Sequence, residues 1–275
     1  MKKRINIIAQ NYFTMSRLLN RIEVYSLYLF EYLKFGEIGS LIQAFVYMFT
    51  RKSYTKGGIV RTSMGKFDTR PHTLDFQYIN YAYEIGIKRF IEKENFHIFM
   101  DIGACLGEYC IWLGAKGKRC LAFEPVKGSF DMIDRNIEIN GLRSNVKAYN
   151  YGLGSKHSIE FFSINQINPG ASKRVSEETA STQKFEINSL DDVYQGFGFK
   201  KDERILIKID VEGMEVEMLE GARKFLESCE NVVLIIEEKL SGEGEITQKL
   251  NSICRFEYGS IDEYNIYARK IGNLA

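Results

Sequence analysis

The sequence has few residues that could hold a metal ion. Its three histidines lie far apart in the chain, and no two of its five cysteines have the spacing of paired metal ligands. We therefore expect no metal site. The cysteines are odd in number and scattered through apolar or helical patterns, which favours buried free thiols in a reducing cytoplasm. The opening residues make a poor signal peptide because polar residues interrupt their apolar run.

Long apolar runs and an excess of one charge are also missing. No stretch approaches the roughly 18 uninterrupted apolar residues of a membrane span. Lys and Arg total 37 against 36 for Asp and Glu, so the formal net charge is +1 and no global field recruits nucleic acid or an anionic membrane. The chain has 275 residues, of which 45% are hydrophobic and 27% charged. This length and composition are enough for one large α/β domain and an extension.

The extension is the aromatic-rich N-terminal part of the chain. Residues 22–49 are rich in Tyr, Phe and Leu, and several of these residues recur at helical spacing. The pattern predicts two helices, divided near two glycines. Its apolar positions at one helical face are Ile22, Tyr25, Leu29 and Leu33.

We place a boundary near residue 70, with a helical extension and linker at 1–70 and the main domain at 71–275. Residues 56–71 are rich in glycine and basic residues, which is typical of a linker or a lid. The helices before it either cap the main domain or pack on a second copy in a homodimer. In the alternative, they form an aromatic surface that touches the inner face of the membrane or an acceptor with a lipid-borne glycan.

From about residue 97, apolar runs alternate with helical patterns. This alternation predicts an α/β domain with a mostly parallel sheet covered by helices on both faces. A polar loop at 165–183 is long enough to be either functional or disordered. Strands are predicted at 97–102, 119–124, 146–151, 158–163, 183–187, 204–210, 232–237, 253–258 and 264–269, and helices at 74–91, 107–115, 128–140 and 214–227.

The stretch from residue 97 to 125 predicts a strand, a tight loop, a helix and a parallel strand. Its loop reads D-x-G-x-x-x-G, formed by Asp101, Gly103 and Gly107, and the second strand ends on Glu124. A right-handed βαβ unit brings both strand ends to one edge of the sheet. Asp101 and Glu124 should therefore face one crevice.

The chemistry of this crevice favours S-adenosylmethionine over a dinucleotide. The glycine spacing is not G-x-G-x-x-G, and an acidic residue directly before the glycines is a poor neighbour for a pyrophosphate. Asp101 is better matched to a ligand that carries an ammonium and a sulfonium, and Glu124 can accept both hydroxyls of an unmodified ribose. The alternative is an α/β fold that simply has a tight turn here and binds no nucleotide.

A second acidic motif, KIDVEGME, follows the strand expected beside the first one. Ligands of open α/β sheets bind at this point, so Asp210 and Glu212 should face the transferable methyl group. If the acceptor is a hydroxyl, a base must take its proton, and the candidates are Asp210, Glu212, Glu237 and His72. Glu212 has a second interpretation as a carboxylate that stabilises a helix N-terminus.

The motifs together resemble one known family. FMDIGACLGEYC, LAFEP, the helix end from Asn136 to Asn140, LDD from Leu190 to Asp192, and IKIDVEGMEVEMLEGA look like the FkbM methyltransferases, over roughly residues 95–240. The resemblance implies a class I methyltransferase (Rossmann-like) fold with a seven-stranded sheet whose last strand is antiparallel. It also implies S-adenosyl-L-methionine as cofactor and O-methylation of hydroxyls on sugars, polyketides or other natural products.

The family's site residues map onto matching positions of this chain. The cofactor loop falls on Asp101 to Gly107 and includes Gly103 and Ala104. The ribose carboxylate falls on Glu124, with Pro125 next to it. The acidic motif falls on Asp210 and Glu212. The chain departs from the family at Cys105 and Leu106, where Asn and a small or β-branched residue are common.

Other functions are compatible with the same fold. The chain could be a non-catalytic binding or assembly module that keeps the methyltransferase fold and uses its helical extension for partners. It could also methylate RNA, although the near-neutral charge disfavours a nucleic-acid partner. The sequence favours a small-molecule or glycan acceptor.

Overall fold

The computed structural model describes residues 23–165, 167–175, 177–179, 182–238 and 244–274. The helices are α1 (23–35), α2 (Ile38–Thr50), α3 (Asp75–Tyr78), α4 (Ile85–Lys93), α5 (Glu108–Ala115), α6 (Lys127–Ile139), α7 (Leu190–Val193), α8 (Glu215–Glu220), α9 (Arg223–Ser228) and α10 (Glu245–Asn251). The strands are β1 (Gly58–Thr62), β2 (Gly65–Thr69), β3 (Ile98–Ile102), β4 (Arg119–Phe123), β5 (Val146–Tyr149), β6 (Gly152–Gly154), β7 (Ser158–Ser163), β8 (Lys173–Val175), β9 (Thr182–Ser189), β10 (Ile205–Ile209), β11 (Val232–Glu237), β12 (Cys254–Ser260) and β13 (Asn265–Asn273).

A seven-stranded sheet forms the centre of the molecule, in the order β12-β13-β11-β10-β3-β4-β5. Strand β13 is antiparallel to both of its neighbours, while the strands from β11 to β5 are parallel. Every residue of β3 and β10 is buried, as continuous apolar strands covered by helices on both faces must be. The predicted class I methyltransferase fold is confirmed, including β10 beside β3.

A second sheet of four strands, β6-β9-β7-β8, lies outside the central one. The strands predicted at 158–163 and 183–187 are present as β7 and β9, but they pair with each other and not with the central sheet. The sequence predicted these strands but not the sheet to which they belong. Alternating polar residues leave these strands one apolar face, and Phe162, Phe185 and Ile187 use it to build a small core with Val126 and Met214.

The segment expected to be a linker or lid contains an antiparallel hairpin, β1-β2. The side chains of two asparagines on α6 fix this hairpin to the main domain. The backbone N–H of Lys66 donates to Asn140 Oδ1 at 3.0 Å, and that of Asp68 donates to Asn136 Oδ1 at 2.8 Å. The boundary near residue 70 stays a prediction, but the hairpin before it is joined to the core.

Helix α1 contacts the main domain and the β1-β2 hairpin through specific polar groups. Tyr32 is fully buried, and its hydroxyl donates to the backbone oxygen of Phe76. The carboxylate of Glu31 accepts from the Ser63 hydroxyl at 2.8 Å. The opposite face of the two helices leaves large apolar side chains exposed, among them Phe30, Leu33, Ile38, Ile42 and Phe49. No helix in the described part of the chain is long and apolar enough to cross a membrane.

Two predicted helices are each divided in the structure. The predicted helix at 74–91 is interrupted between α3 and α4, where Glu84 adopts a left-handed backbone with φ 49°. The predicted helix at 214–227 is interrupted at Gly221. A Cβ at that position would lie 2.0 Å from the backbone oxygen of Gly154, so α8 ends where β6 passes close to it.

Candidate cofactor and active site

Two adjoining cavities lie at the carboxyl edge of the central parallel strands. The Glu124 cavity has a volume of about 60 Å³, and the Asp101 cavity has a volume of about 280 Å³. Such an edge is where open α/β sheets bind their ligands. Residues that line both cavities are Gly103, Cys105, Gly170, Asp210 and Glu212.

The loop after β3 brings its backbone close to the end of β10. Gly103 has φ 90°, and a Cβ there would lie 1.9 Å from the backbone oxygen of Asp210. Only glycine fits this position. Gly107 has φ 74°, and its N–H donates to the oxygen of Ala104 at 2.6 Å just before α5 begins. Ala104 and Gly107 therefore shape the loop without lining either cavity.

Glu124 is held in place by the backbone on either side of the crevice. One carboxylate oxygen accepts the N–H of Cys105 and the other accepts the N–H of Val126, each at 2.9 Å. The side chain is 6% exposed, and burial raises the pKa of Glu124 to about 7 against the lowering effect of these hydrogen bonds. Each oxygen keeps an acceptor site for a ligand hydroxyl, which fits the predicted ribose contact. Pro125 lines the same cavity.

Asp101 is 1% exposed in its own cavity, where burial raises its pKa to about 7. Lys208 occupies the paired position on the neighbouring strand, and its ammonium donates to Asp210 Oδ2 at 2.8 Å. Burial would lower the pKa of Lys208, but Asp210, Glu84 and Asp101 together raise it well above the ordinary value. Lys208 is therefore a fixed cation among several carboxyl groups.

Glu108, the first residue of α5, supplies a further carboxyl group to the Asp101 cavity. Its Oε2 atom is buried and has no hydrogen-bond partner among the residues that the structure describes. Burial, and then the nearby Asp101, raise the pKa of Glu108 to about 8. An unpartnered buried carboxyl group beside Asp101 suits a cationic ligand. The residues present therefore fit S-adenosylmethionine, whose tail carries an ammonium next to a sulfonium.

Three of the four predicted base candidates lie together. Asp210 and Glu212 line both cavities, and Glu237 lines the Asp101 cavity. His72 does not join them. It is exposed, its N–H donates to the oxygen of Thr55 at 2.9 Å, and it lines neither cavity, so its catalytic role stays a prediction without support from the geometry.

The loop after β10 is held by a carboxylate other than Glu212. Glu212 has a left-handed backbone with φ 51°. Glu215 is buried, and its Oε1 accepts the N–H groups of Val211 at 3.2 Å and Gly213 at 3.1 Å. Glu215 therefore holds this loop, while Glu212 lines both cavities. Both interpretations of Glu212 stay predictions.

Sequence reasoning missed three charged residues of the Asp101 cavity: Glu84, Glu108 and Lys208. The sequence contained a local indication for two of them. Lys208 precedes Asp210 by two residues on a strand and so shares its face, and Glu108 directly follows the last loop glycine. Glu84 had none, because it lies between two short helices and reaches the site only through the fold. Its Oε2 accepts from the Tyr109 hydroxyl at 2.7 Å.

The chain matches known methyltransferases. It is 31% identical over 166 residues to methyltransferase sdnD of Sordaria araneosa, a match that covers 49% of this chain and 64% of that protein. It is 26% identical over 174 residues to the hexuronic acid methyltransferase AglP of Haloferax volcanii, covering 60% of this chain and 70% of that protein. The chain thus spans less than two thirds of the length of sdnD.

Among solved structures, the chain is similar to an FkbM methyltransferase from Methylobacillus flagellatus, with 17% identity and a TM-score of 0.46 over 70% of this chain and 53% of that one. The model of the methyltransferase FkbM domain matches residues 101–263, more than half of the 275 residues, and this span contains the Asp101 loop, Glu124 and the KIDVEG motif. The chain therefore belongs to the FkbM methyltransferase family, and its cofactor is S-adenosyl-L-methionine.

Proposed function

We propose that the protein is an O-methyltransferase that acts on a hydroxyl of a sugar, a glycan or a related natural product. The observation that carries this proposal is that Asp210 and Glu212 line both cavities. Carboxylates at that junction lie where the cofactor and an acceptor would meet. The similarity to a hexuronic acid methyltransferase supports a sugar acceptor.

The cofactor, when bound, supplies an electrophilic methyl group on a positively charged sulfur. In this proposal the Glu124 carboxylate accepts the two ribose hydroxyls, while Asp101 and Glu108 face the cationic tail. Burial of all three carboxyl groups keeps water away from the reacting groups. Since the transfer neutralises the sulfonium, the enzyme's main tasks are to align the acceptor and to exclude water.

An acceptor hydroxyl must also lose its proton. The 2.8 Å contact with Lys208 commits Asp210 to the ion pair, which favours a positioning role for this carboxylate. Glu212 and Glu237 line the Asp101 cavity from the ends of two strands, and we propose them as the bases.

The test is incubation with methyl-labelled S-adenosylmethionine and an extract of the host, followed by separation of polysaccharide, lipid and RNA. We expect label in saccharide-containing material, and the label should resist mild alkali because a methyl ether is stable where a methyl ester is cleaved. The variant Asp101→Asn should transfer no label, and the surface variant Glu257→Ala should transfer it normally. Label in RNA, or label released by alkali, would contradict the proposal. No label in any fraction, despite tight cofactor binding, would favour the non-catalytic module.

A further inference from the structure

A third cavity lies between the N-terminal helices and the segment that joins α3 to α4. It has a volume of about 320 Å³, and we name it the α1–α2 cavity. All but three of its fourteen lining residues are apolar or aromatic, the exceptions being Arg51, Gln77 and Glu84. A pocket of this size with mostly apolar walls and a few polar groups is typical of a small-molecule site.

This cavity adjoins the Asp101 cavity. Tyr83 and Glu84 line both of them. These two residues are fixed from the main domain, because the buried ammonium of Lys88 donates to the backbone oxygen of Tyr83 and the Tyr109 hydroxyl donates to Glu84 at 2.7 Å. One elongated molecule could therefore place a polar end beside the reacting carboxylates and an apolar end between the helices.

The walls of the α1–α2 cavity are built into the fold. Asn80 is fully buried, and its side-chain N–H donates to the backbone oxygen of Tyr28 at 3.0 Å, which joins α1 to the segment opposite. Tyr28 lines the cavity, and its ring packs edge-on against that of the fully buried Tyr32, with 5.6 Å between the ring centroids. The wall that α1 forms is therefore held in place by a hydrogen bond and by ring packing.

The cavity opens to solvent through an apolar rim. Tyr25, Phe45 and Met48 line it and are also exposed, at 53%, 44% and 40%. Exposed apolar side chains around a concave site mark a surface that binds an apolar partner. Because this cavity is concave and shares Tyr83 and Glu84 with the Asp101 cavity, a chain-like ligand fits it better than a flat protein surface or a bilayer.

We infer that the acceptor is an amphiphile, a hydroxyl-bearing head group joined to an apolar chain, and that the α1–α2 cavity holds the chain while the head group lies in the Asp101 cavity. This inference rests on the proposed function, which it deepens by naming the acceptor class. Tyr83 and Glu84 then contact the ligand where its head group is linked to its apolar chain.

The test uses methyl, hexyl and octyl β-D-glucosides as probes, each below its micelle concentration, with binding to the full chain measured by calorimetry. Burial of the alkyl chain should tighten binding about fourfold for each added methylene, as roughly 0.8 kcal/mol per buried CH₂ requires, until the cavity is filled. Ala44→Trp places a large ring in the cavity and should abolish this dependence. Ile42→Trp, two residues away on the exposed face of α2, is the matched control and should preserve it.

S-adenosylmethionine should bind both variants with unchanged affinity, which shows that they fold. Equal binding of the three glucosides would overturn the inference, and so would octyl glucoside binding that Ala44→Trp leaves intact, since the chain would then lie on the outer apolar face. The outcome is distinguishable from failure of the proposed function. Methyl transfer without any chain-length dependence overturns only this inference. Chain-length-dependent binding with no transfer to any acceptor overturns the proposed function, and the α1–α2 cavity is then a binding site for an amphiphile that is not an acceptor.

Discussion

Lys208 and Asp101 occupy paired positions on two adjacent parallel strands, and both side chains are buried in the same cavity. The Lys208 ammonium also contacts Asp210 at 2.8 Å. One lysine thus faces a cavity that Asp101, Glu108 and Asp210 line with carboxyl groups. This imbalance favours a cationic ligand, which is the electrostatic basis for the cofactor assignment.

Lys208→Met should destabilise the protein. Removing the buried Lys208 ammonium leaves the partly exposed Asp210 carboxylate without its partner, and we expect the free energy of unfolding to fall by about 2 kcal/mol. Urea denaturation measures it. In the double variant Lys208→Met, Asp210→Asn, much of the loss should be recovered because the carboxylate is removed as well. Equal stability of wild type and Lys208→Met would show that the pair carries no such energy.

Cofactor affinity should rise with pH between 6 and 8. Burial raises the pKa of Asp101 and of Glu124 to about 7, so both are largely protonated at pH 6. A cationic cofactor favours the ionised carboxylates, and its binding should therefore release protons, with affinity rising up to tenfold per pH unit for each proton released. Calorimetry in buffers of different ionisation enthalpy counts these protons. Affinity that is flat across this range, with no proton release, would refute the electrostatic account.

The same groups give the protein without cofactor an opposite pH dependence of stability. A carboxyl group whose pKa is raised by folding stabilises the fold below its unfolded pKa, and this contribution is lost as the pH rises through the folded pKa. For Asp101 and Glu124 this stabilisation is lost between about pH 4, the ordinary pKa of a carboxyl group in the unfolded chain, and about pH 7, the pKa in the folded protein. The unfolding free energy should fall over this window, and by less in Asp101→Asn, as urea titrations at several pH values would show.

Gly103→Ala should abolish cofactor binding and cost about 3 kcal/mol or more, because the new methyl group would collide with the backbone of Asp210. Gly117→Ala is the matched control. Gly117 also has a positive φ, 80°, but a Cβ there meets nothing within 4 Å, so only the backbone strain of about 1 kcal/mol remains. Thermal unfolding and cofactor calorimetry measure both variants. A Gly103→Ala protein as stable as the control would contradict the observed close approach.

Asp191→Ala should lower stability and leave cofactor binding unchanged. Asp191 belongs to the LDD motif, and its carboxylate accepts the N–H groups of Phe225 at 2.8 Å and Lys224 at 3.0 Å at the start of α9. Loss of such a cap costs about 1 kcal/mol. Denaturation and calorimetry on the same sample separate the two effects. Weakened cofactor binding in a folded variant would assign this motif a role at the site.

The sequence predicted the parts of the fold that depend on local pattern. The βαβ unit from β3 to β4 and the position of β10 followed from apolar runs and from the rules of parallel sheets. The hairpin at residues 58–69 was missed because it is held by α6 side chains, Asn136 and Asn140, that lie far away in the sequence. The pairing of β7 with β9 was missed for a similar reason, since strand patterns do not specify partners.

The residues of the candidate site also divide into those that local sequence pattern predicts and those that only the fold brings there. Asp101, Glu124 and Asp210 end predicted strands, so the sequence could bring them to one edge. Glu84 has no periodic pattern around it and reaches the cavity only because α3 and α4 are separate helices. The catalytic role of His72 stays a prediction. Its position before a helix made it a candidate, and nothing in the sequence could show that the fold leaves it exposed and outside both cavities.

The central claim is that the crevice between Asp101 and Glu124 holds S-adenosylmethionine through its ribose and its cationic tail. Calorimetry with this cofactor on wild type and on Glu124→Ala tests it most directly, with the exposed Glu257→Ala as control. Loss of two charge-assisted hydrogen bonds predicts at least about a hundredfold weaker binding in Glu124→Ala and no change in the control. Unchanged, tight binding to a folded Glu124→Ala protein would contradict the account.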